Sequence, residues 1–191
     1  MELLFINACV REGSRTKRLA DKLLSVLNKS YEEVDLKDII FPVVDESFLN
    51  ERDRLSSENK FDAPMFKWAK QFAEAEEIVI AAPYWDLSFP ASLKQYLEQV
   101  NVVGLTFKYT KEGVPIGLCR AGRIYVVTTA GGHFVPEEYG FGYIKALAEG
   151  YYGIRDVRLI SAVGLDVLGS DAEAILSSAE NKIGLIKEKS R

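Results

Sequence analysis

Three short stretches carry most of the side chains in this 191-residue chain that could do chemistry. The first runs Cys9-Val10-Arg11-Glu12-Gly13-Ser14-Arg15-Thr16, and five basic against two acidic residues fall between positions 11 and 22. Backbone N–H groups at a helix start, a glycine for a tight turn and the Ser14 and Thr16 hydroxyls together form a donor-rich cradle for a phosphate. Cations at the positive end of a helix dipole cost ~0.3–1 kcal/mol each at an exposed site, so a bound anion is expected there to offset them. The plainer alternative is a solvated basic turn in which Ser14 or Thr16 only caps the helix. The second stretch, Pro83-Tyr84-Trp85-Asp86-Leu87, sets adjacent aromatics beside a rigid proline. It offers a flat apolar wall for a planar ligand, unless those rings merely pack under a neighbouring loop. The third, Thr129-Ala130-Gly131-Gly132-His133, has two residues without side chains where main chain would lie against such a ligand, although glycine pairs also serve ordinary turns.

Some scaffold must bring these stretches to one place, and the hydrophobic pattern supplies it. Short runs rich in Val, Ile and aromatics alternate with segments of helical period: Leu3 to Cys9, Tyr31 to Leu36, Glu77 to Ala82, Arg123 to Thr128 and Arg155 to Val163. Leu93, Tyr96, Leu97 and Val100 stand at i, i+3, i+4, i+7, as do Ile144, Leu147, Ala148 and Tyr151. Pro64 and Pro90 suit first-turn positions, and Ser170 with Glu173 reads as a capping box for a last helix. The alternation predicts an α/β protein, with a doubly wound, five-stranded parallel sheet between two helix layers. Ligands of such a sheet bind beyond the carboxyl ends of its strands, where all three stretches fall. Residues 1–191 are expected to form a single domain with two departures from the alternation. One is a charged excursion over 42–62, the other a hairpin or flap over 104–122, and both are long enough to serve as lids or partner contacts.

Composition narrows the function classes. Lys plus Arg number 24 against 28 Asp plus Glu, a net charge of −4, and 48% of the chain is apolar. A mildly acidic surface disfavours nucleic acid as a partner. Two cysteines and one histidine are too few for a Cys/His zinc site or a disulfide framework, so no metal is expected. No run approaches the ~20 apolar residues that span a bilayer, and the start of the chain lacks a basic segment with a cleavage site. The expectation is a cytoplasmic protein with no membrane partner. The first stretch is neither a G-x-G-x-x-G loop nor a Walker A loop, which removes the usual support for Rossmann-type dinucleotide binding and for ATP hydrolysis.

Cys9, five intervening residues and then Arg15-Thr16 resembles the Cys-x5-Arg-Ser/Thr loop of low-molecular-weight protein tyrosine phosphatases, which also follows the first strand of a parallel sheet. Under that resemblance Cys9 is a thiolate nucleophile activated by the helix N-terminus, and Arg15 clamps the phosphoryl group. That family's Asp-Pro general acid has no counterpart here, and its glycine and asparagine pattern is missing from the loop. The three stretches together suit one occupant better, with a phosphate at the first and a planar ring between the other two: flavin mononucleotide (FMN). Accordingly the sequence resembles the flavodoxin-like NAD(P)H-dependent FMN oxidoreductases, the quinone reductase and azoreductase group. Ser14-Arg15-Thr16 matches that group's hydroxyl-rich phosphate turn, Ala81-Ala82-Pro83-Tyr84-Trp85-Asp86 its Ala-Ala-Pro-Met-Tyr/Trp-Asn loop, and Ser92-Leu93-Lys94 the segment that follows. Thr106-Phe107-Lys108-Tyr109-Thr110, Thr128-Thr129-Ala130-Gly131-Gly132 and Tyr152-Gly153-Ile154 continue the match in order, over roughly residues 2 to 165.

The resemblance implies a flavodoxin-like sheet of order 2-1-3-4-5 in three αβα layers. It implies FMN as cofactor, NADH or NADPH as donor, and a quinone, azo or nitro compound as small-molecule acceptor, reduced by ping-pong hydride transfer through the flavin. Carried over by position, Ser14, Arg15 and Thr16 would hold the FMN phosphate, with Cys9 beside them. Pro83, Tyr84, Trp85, Asp86 and Leu87 would line the ring and ribityl chain, and Thr129, Ala130, Gly131 and Gly132 would contact the isoalloxazine edge. The cofactor carries the chemistry, so no catalytic side chain is demanded. Phe107, from the flap of the opposite subunit, and His133 are the candidates for substrate contact. A homodimer with the flavin near the subunit boundary would give the flap and the excursion a purpose. Tyr84 replaces the group's usual Met and Asp86 its usual Asn, and a carboxylate near the ring would lower the flavin potential. A flavodoxin-like electron carrier is the non-enzymatic alternative. The modest net charge and the flap stand against it.

Overall fold

Runs of five to seven residues rich in Val, Ile and Leu send alternate side chains to opposite faces of a sheet, and when helices cover both faces the whole run is apolar. In a computed structural model that describes residues 1–186, the chain follows that logic in its central strands. It runs β1 (Leu3–Asn7), α1 (Arg15–Leu27), β2 (Tyr31–Asp35), α2 (Glu46–Ser57), α3 (Lys67–Glu74), β3 (Glu77–Ala81) and α4 (Ala91–Val100). Then come β4 (Phe107–Tyr109), β5 (Pro115–Gly117), β6 (Arg123–Thr129), α5 (Phe141–Leu147), β7 (Asp156–Ala162) and α6 (Ala172–Gly184). The main sheet has the order β2-β1-β3-β6-β7, parallel throughout. Counting only its own five strands, this is the expected 2-1-3-4-5.

Leu3 and Phe5 of β1, with Val79, Tyr125 and Val127, face Leu19 and Leu23 of α1 and Leu176 and Ile183 of α6. Leu4 and Ile6, with Ile78, Ile80, Ile124 and Val126, face Phe72 of α3, Leu93, Tyr96 and Leu97 of α4, and Ile144 of α5. Those two buried clusters make three layers, with the carboxyl ends of β1, β3, β6 and β7 opening on one edge.

Several local expectations shift. The cap of α6 is Asp171, whose carboxylate accepts the Ala174 N–H at 2.9 Å, not Ser170. A charged cap gains more from the helix dipole, and Glu173 is drawn instead to Arg18. Pro64 opens a short 3-10 turn, whereas Pro90 sits at the cap position just before α4, where its missing N–H is not needed. The excursion contains α2, anchored by one buried residue, Leu55, beside Phe66, Ala69 and Val102. The stretch 104–122 is an antiparallel hairpin of β4 and β5. Gly117 lies so close to the Tyr152 and Gly153 backbone that any Cβ would collide with it. No helix among the described residues is long and apolar enough to cross a membrane.

Candidate functional site

The loop after β1 turns into α1 through Gly13, in the left-handed region at φ +71°, and Ser14, whose Oγ accepts the Lys17 N–H at 3.3 Å. The first-turn N–H groups of Arg15 and Thr16 precede the point where intrahelical carbonyls become available and point out of the helix end. Thr16 is buried and its hydroxyl meets that of Thr129 at 2.6 Å, tying the start of α1 to the end of β6. Tyr84 donates its N–H to the Thr129 carbonyl at 3.0 Å, which ties in the loop after β3. Three loops distant in sequence are thereby held together at one edge.

Between them runs a groove of about 470 Å³, lined by Val10 to Thr16, by Pro83, Tyr84 and Trp85, by Thr129, Ala130 and Gly131, and by Asp166. That volume lies within the ~300–1,000 Å³ of small-molecule sites. One end is rich in hydroxyls and N–H groups and the other is walled by aromatic rings. Trp85 and Ser88 exchange backbone hydrogen bonds at 3.0 and 2.7 Å, with Asp86 at φ 50° and Leu87 at φ 67° between them, the geometry of a type I′ turn. Non-glycine residues cost about 1 kcal/mol each in that region, so the turn is held rather than relaxed, and the Ser88 hydroxyl fastens it to the Tyr139 carbonyl at 2.6 Å. The Tyr84 hydroxyl is buried without a hydrogen-bond partner among the described residues. Tyr84 also lines a second cavity of about 210 Å³, together with His133, Phe89, Phe141 and Ser161.

Ser14, Arg15, Thr16, Pro83, Tyr84, Trp85, Thr129, Ala130 and Gly131 therefore meet in one groove. Gly132 and His133 lie just beyond, with His133 against Gly164 and lining the second cavity. Asp86 and Leu87 are exposed at the tip of the turn rather than in the groove wall. Two of the residues lie outside the lining of this groove. Cys9 is buried among Leu19, Leu23, Val79 and Ala81, and lines an adjoining cavity with Arg11, Gly13 and Ser14 instead. Burial pushes its thiol above the ordinary range, the opposite of what a nucleophile or a phosphatase needs. Phe107 is buried and stacked on Tyr151 of its own chain, with centroids 4.4 Å apart.

Arg15 pairs with Asp166 at 2.9 Å, Lys17 with Asp21 at 2.6 Å, and Arg18 with Glu173 and Glu180 at 2.6 and 2.8 Å. Carboxylates of the chain itself thus answer three of the basic residues that seemed to await an anion. Asp166 lies outside the three stretches that the sequence singles out, although it follows the last strand at the same edge.

A protein family described as having a flavodoxin-like fold matches residues 1–185. An FMN-dependent NADH:quinone oxidoreductase of Lachnoclostridium phytofermentans is 35% identical over 196 residues, covering 97% of each chain. One of the same description from Clostridium beijerinckii is 34% identical over 190 residues, 95% of each. Among solved structures, an FMN-dependent NADH-azoreductase from Bacillus anthracis in complex with FMN superposes with a TM-score of 0.82 at 26% identity, covering 98% of both chains.

Proposed function

The chain belongs to the flavodoxin-like fold family, and on that premise we propose that its groove binds FMN and that the protein is an NAD(P)H-dependent FMN oxidoreductase of the quinone reductase and azoreductase type. A single observation carries this reading: one continuous groove joins a donor-rich helix start to a wall of aromatic rings. The residues suit the group. Ser14, the first-turn N–H groups of Arg15 and Thr16, and the Arg15 guanidinium match a phosphate, while Pro83, Tyr84 and Trp85 offer a flat apolar face to a ring. Thr129, Ala130 and Gly131 line the same groove and would meet such a ring through main chain.

When bound, FMN supplies hydride transfer, accepting from NADH or NADPH and delivering to a quinone, azo or nitro compound in ping-pong order. What the chain contributes is position and shielding. The strained Trp85–Ser88 turn presents its backbone in one conformation, the Thr16–Thr129 hydroxyl pair locks the start of α1 to the end of β6, and the aromatic wall would shield a bound ring from water. The phosphatase reading loses its nucleophile with the burial of Cys9, and the relatives carry the names of oxidoreductases rather than electron carriers.

We also take the working unit to be a homodimer in the cytoplasm. Exposed Ile40, Val43, Val114 and Ile116, on and beside the excursion and the hairpin, support a partner surface, and two cysteines outside any disulfide suit a reducing compartment.

The test is direct. Protein incubated with FMN should hold a yellow chromophore through gel filtration, elute at twice the chain mass, and oxidise NADH with menadione as acceptor. A colourless product that hydrolyses para-nitrophenyl phosphate overturns the assignment.

A further inference from the structure

Arg15 stands in the groove wall with its guanidinium fork already filled. Its Nη1 donates to Asp166 Oδ1 at 2.9 Å and its Nη2 to Asp166 Oδ2 at 3.1 Å, and Nη1 also reaches the Leu165 carbonyl at 3.5 Å. A carboxylate in that bidentate geometry offers the guanidinium the same pair of oxygens that a phosphate would.

The carboxylate is held there by construction. Backbone N–H groups of Gly164, Leu165 and Asp166 donate to the carbonyls of Gly132, Ala130 and Gly131 at 3.0, 3.2 and 2.9 Å, so the loop after β7 is laced along the loop after β6. A Cβ at position 131 would fall on the Asp166 carboxylate. One of the two glycines at this loop thus makes room for an acidic side chain of the chain itself. Asp166 is also well exposed, its side chain retaining 64% of its accessible surface, so it can return to water when released from Arg15.

Building on the FMN assignment, we propose that Asp166 is a built-in competitor for the flavin phosphate: the phosphate gains Arg15 by displacing this carboxylate, and Asp166 thereby sets how strongly the chain prefers FMN to riboflavin. Exchange of one anion for another leaves the number of ion pairs on Arg15 unchanged, which keeps the phosphate's advantage small and the cofactor exchangeable.

Flavin-free protein is titrated with FMN and separately with riboflavin, following the quenching of flavin fluorescence, for the wild type, Asp166→Asn and Asp166→Ser. Removing an exposed pair of this kind should tighten FMN by about two- to fivefold and leave riboflavin unmoved. In an Arg15→Gln background the gain from Asp166→Asn should vanish. If Asp166 only staples two loops, FMN and riboflavin will shift together, or FMN will weaken. Either result overturns the proposal, as does a gain that survives without Arg15. Using two substitutions separates a folding defect peculiar to one of them from the charge effect. A wild type that binds neither flavin overturns the FMN assignment and this inference with it, whereas a wild type that binds FMN while both variants match it overturns the inference alone.

Discussion

The two edges of the sheet are built from similar residues and serve opposite ends. At the amino edge, Glu77 of β3 takes Lys29 at 2.8 Å and Arg123 at 3.5 Å, with its own side chain only 7% exposed. Arg123 and Arg158 both reach Asp156, at 2.6 and 2.8 Å, and both lie over the Tyr125 ring. Strand register stacks these charges side by side, and each of these cations finds a carboxylate. At the carboxyl edge the Arg15–Asp166 ion pair crosses the groove, and besides Arg11 and Glu12 its described lining is mostly hydroxyls, outward N–H groups and rings, with a strained turn beside it. Neutralised charge makes a closed edge, whereas polar groups held by loops and only partly satisfied make a receptive one.

Four substitutions would break or sharpen that contrast. Glu77→Ala leaves Lys29 and Arg123 without their buried partner and should cost about 3 kcal/mol in a denaturant titration, while FMN affinity stays unchanged because the groove lies at the far end of the strands. A shift in FMN affinity would show that the edges are coupled. Thr16→Val strands the buried Thr129 hydroxyl and should cost about 2 kcal/mol, here with FMN affinity falling in parallel, since the same bond joins both ends of the groove. Leu87→Gly removes left-handed strain and should raise stability by up to ~1 kcal/mol, yet weaken flavin binding if the rigid turn is what orients the ring.

The smallest effect concerns pH. Hydrogen bonds from Arg158, and then from Arg123, hold the Asp156 carboxyl below its ordinary value. A depressed carboxyl stabilises the fold fully above the unfolded value of about 4, and the contribution is lost as pH falls through the folded value. Asp156→Asn should therefore flatten the acid limb of a stability–pH profile and leave FMN binding at neutral pH untouched. A profile that keeps its acid limb would assign that limb to other carboxylates.

Local signals were legible where local physics decides. The central strands β1, β3 and β6 appear as apolar runs because both their faces are buried, and Ser14 is visible as a cap because a hydroxyl before a helical period has few other uses. Where burial is thin the signal fades: α2 buries little besides Leu55, so its charged sequence looked like a loop. The helix after β6 passes into a π-turn over Ala148–Tyr152, which buries Tyr152 in the core and leaves Tyr151 to stack on Phe107. That stack ties Phe107 into the packing of its own chain, a contact that residue types along the hairpin do not announce.

The sequence by itself determined the alternation of strands and helices, and with it the edge at which three unusual loops must gather, because side-chain period and burial are properties of neighbours along the chain. Only the tertiary structure decided who meets whom across that edge. Thr16 finds Thr129 across 113 positions and Arg15 finds Asp166 across 151, partnerships created by parallel register and the two loops it brings alongside each other. A basic loop read alone asks for an anion, and the folded chain supplies its own because oppositely charged groups brought within hydrogen-bonding reach pair before any ligand arrives.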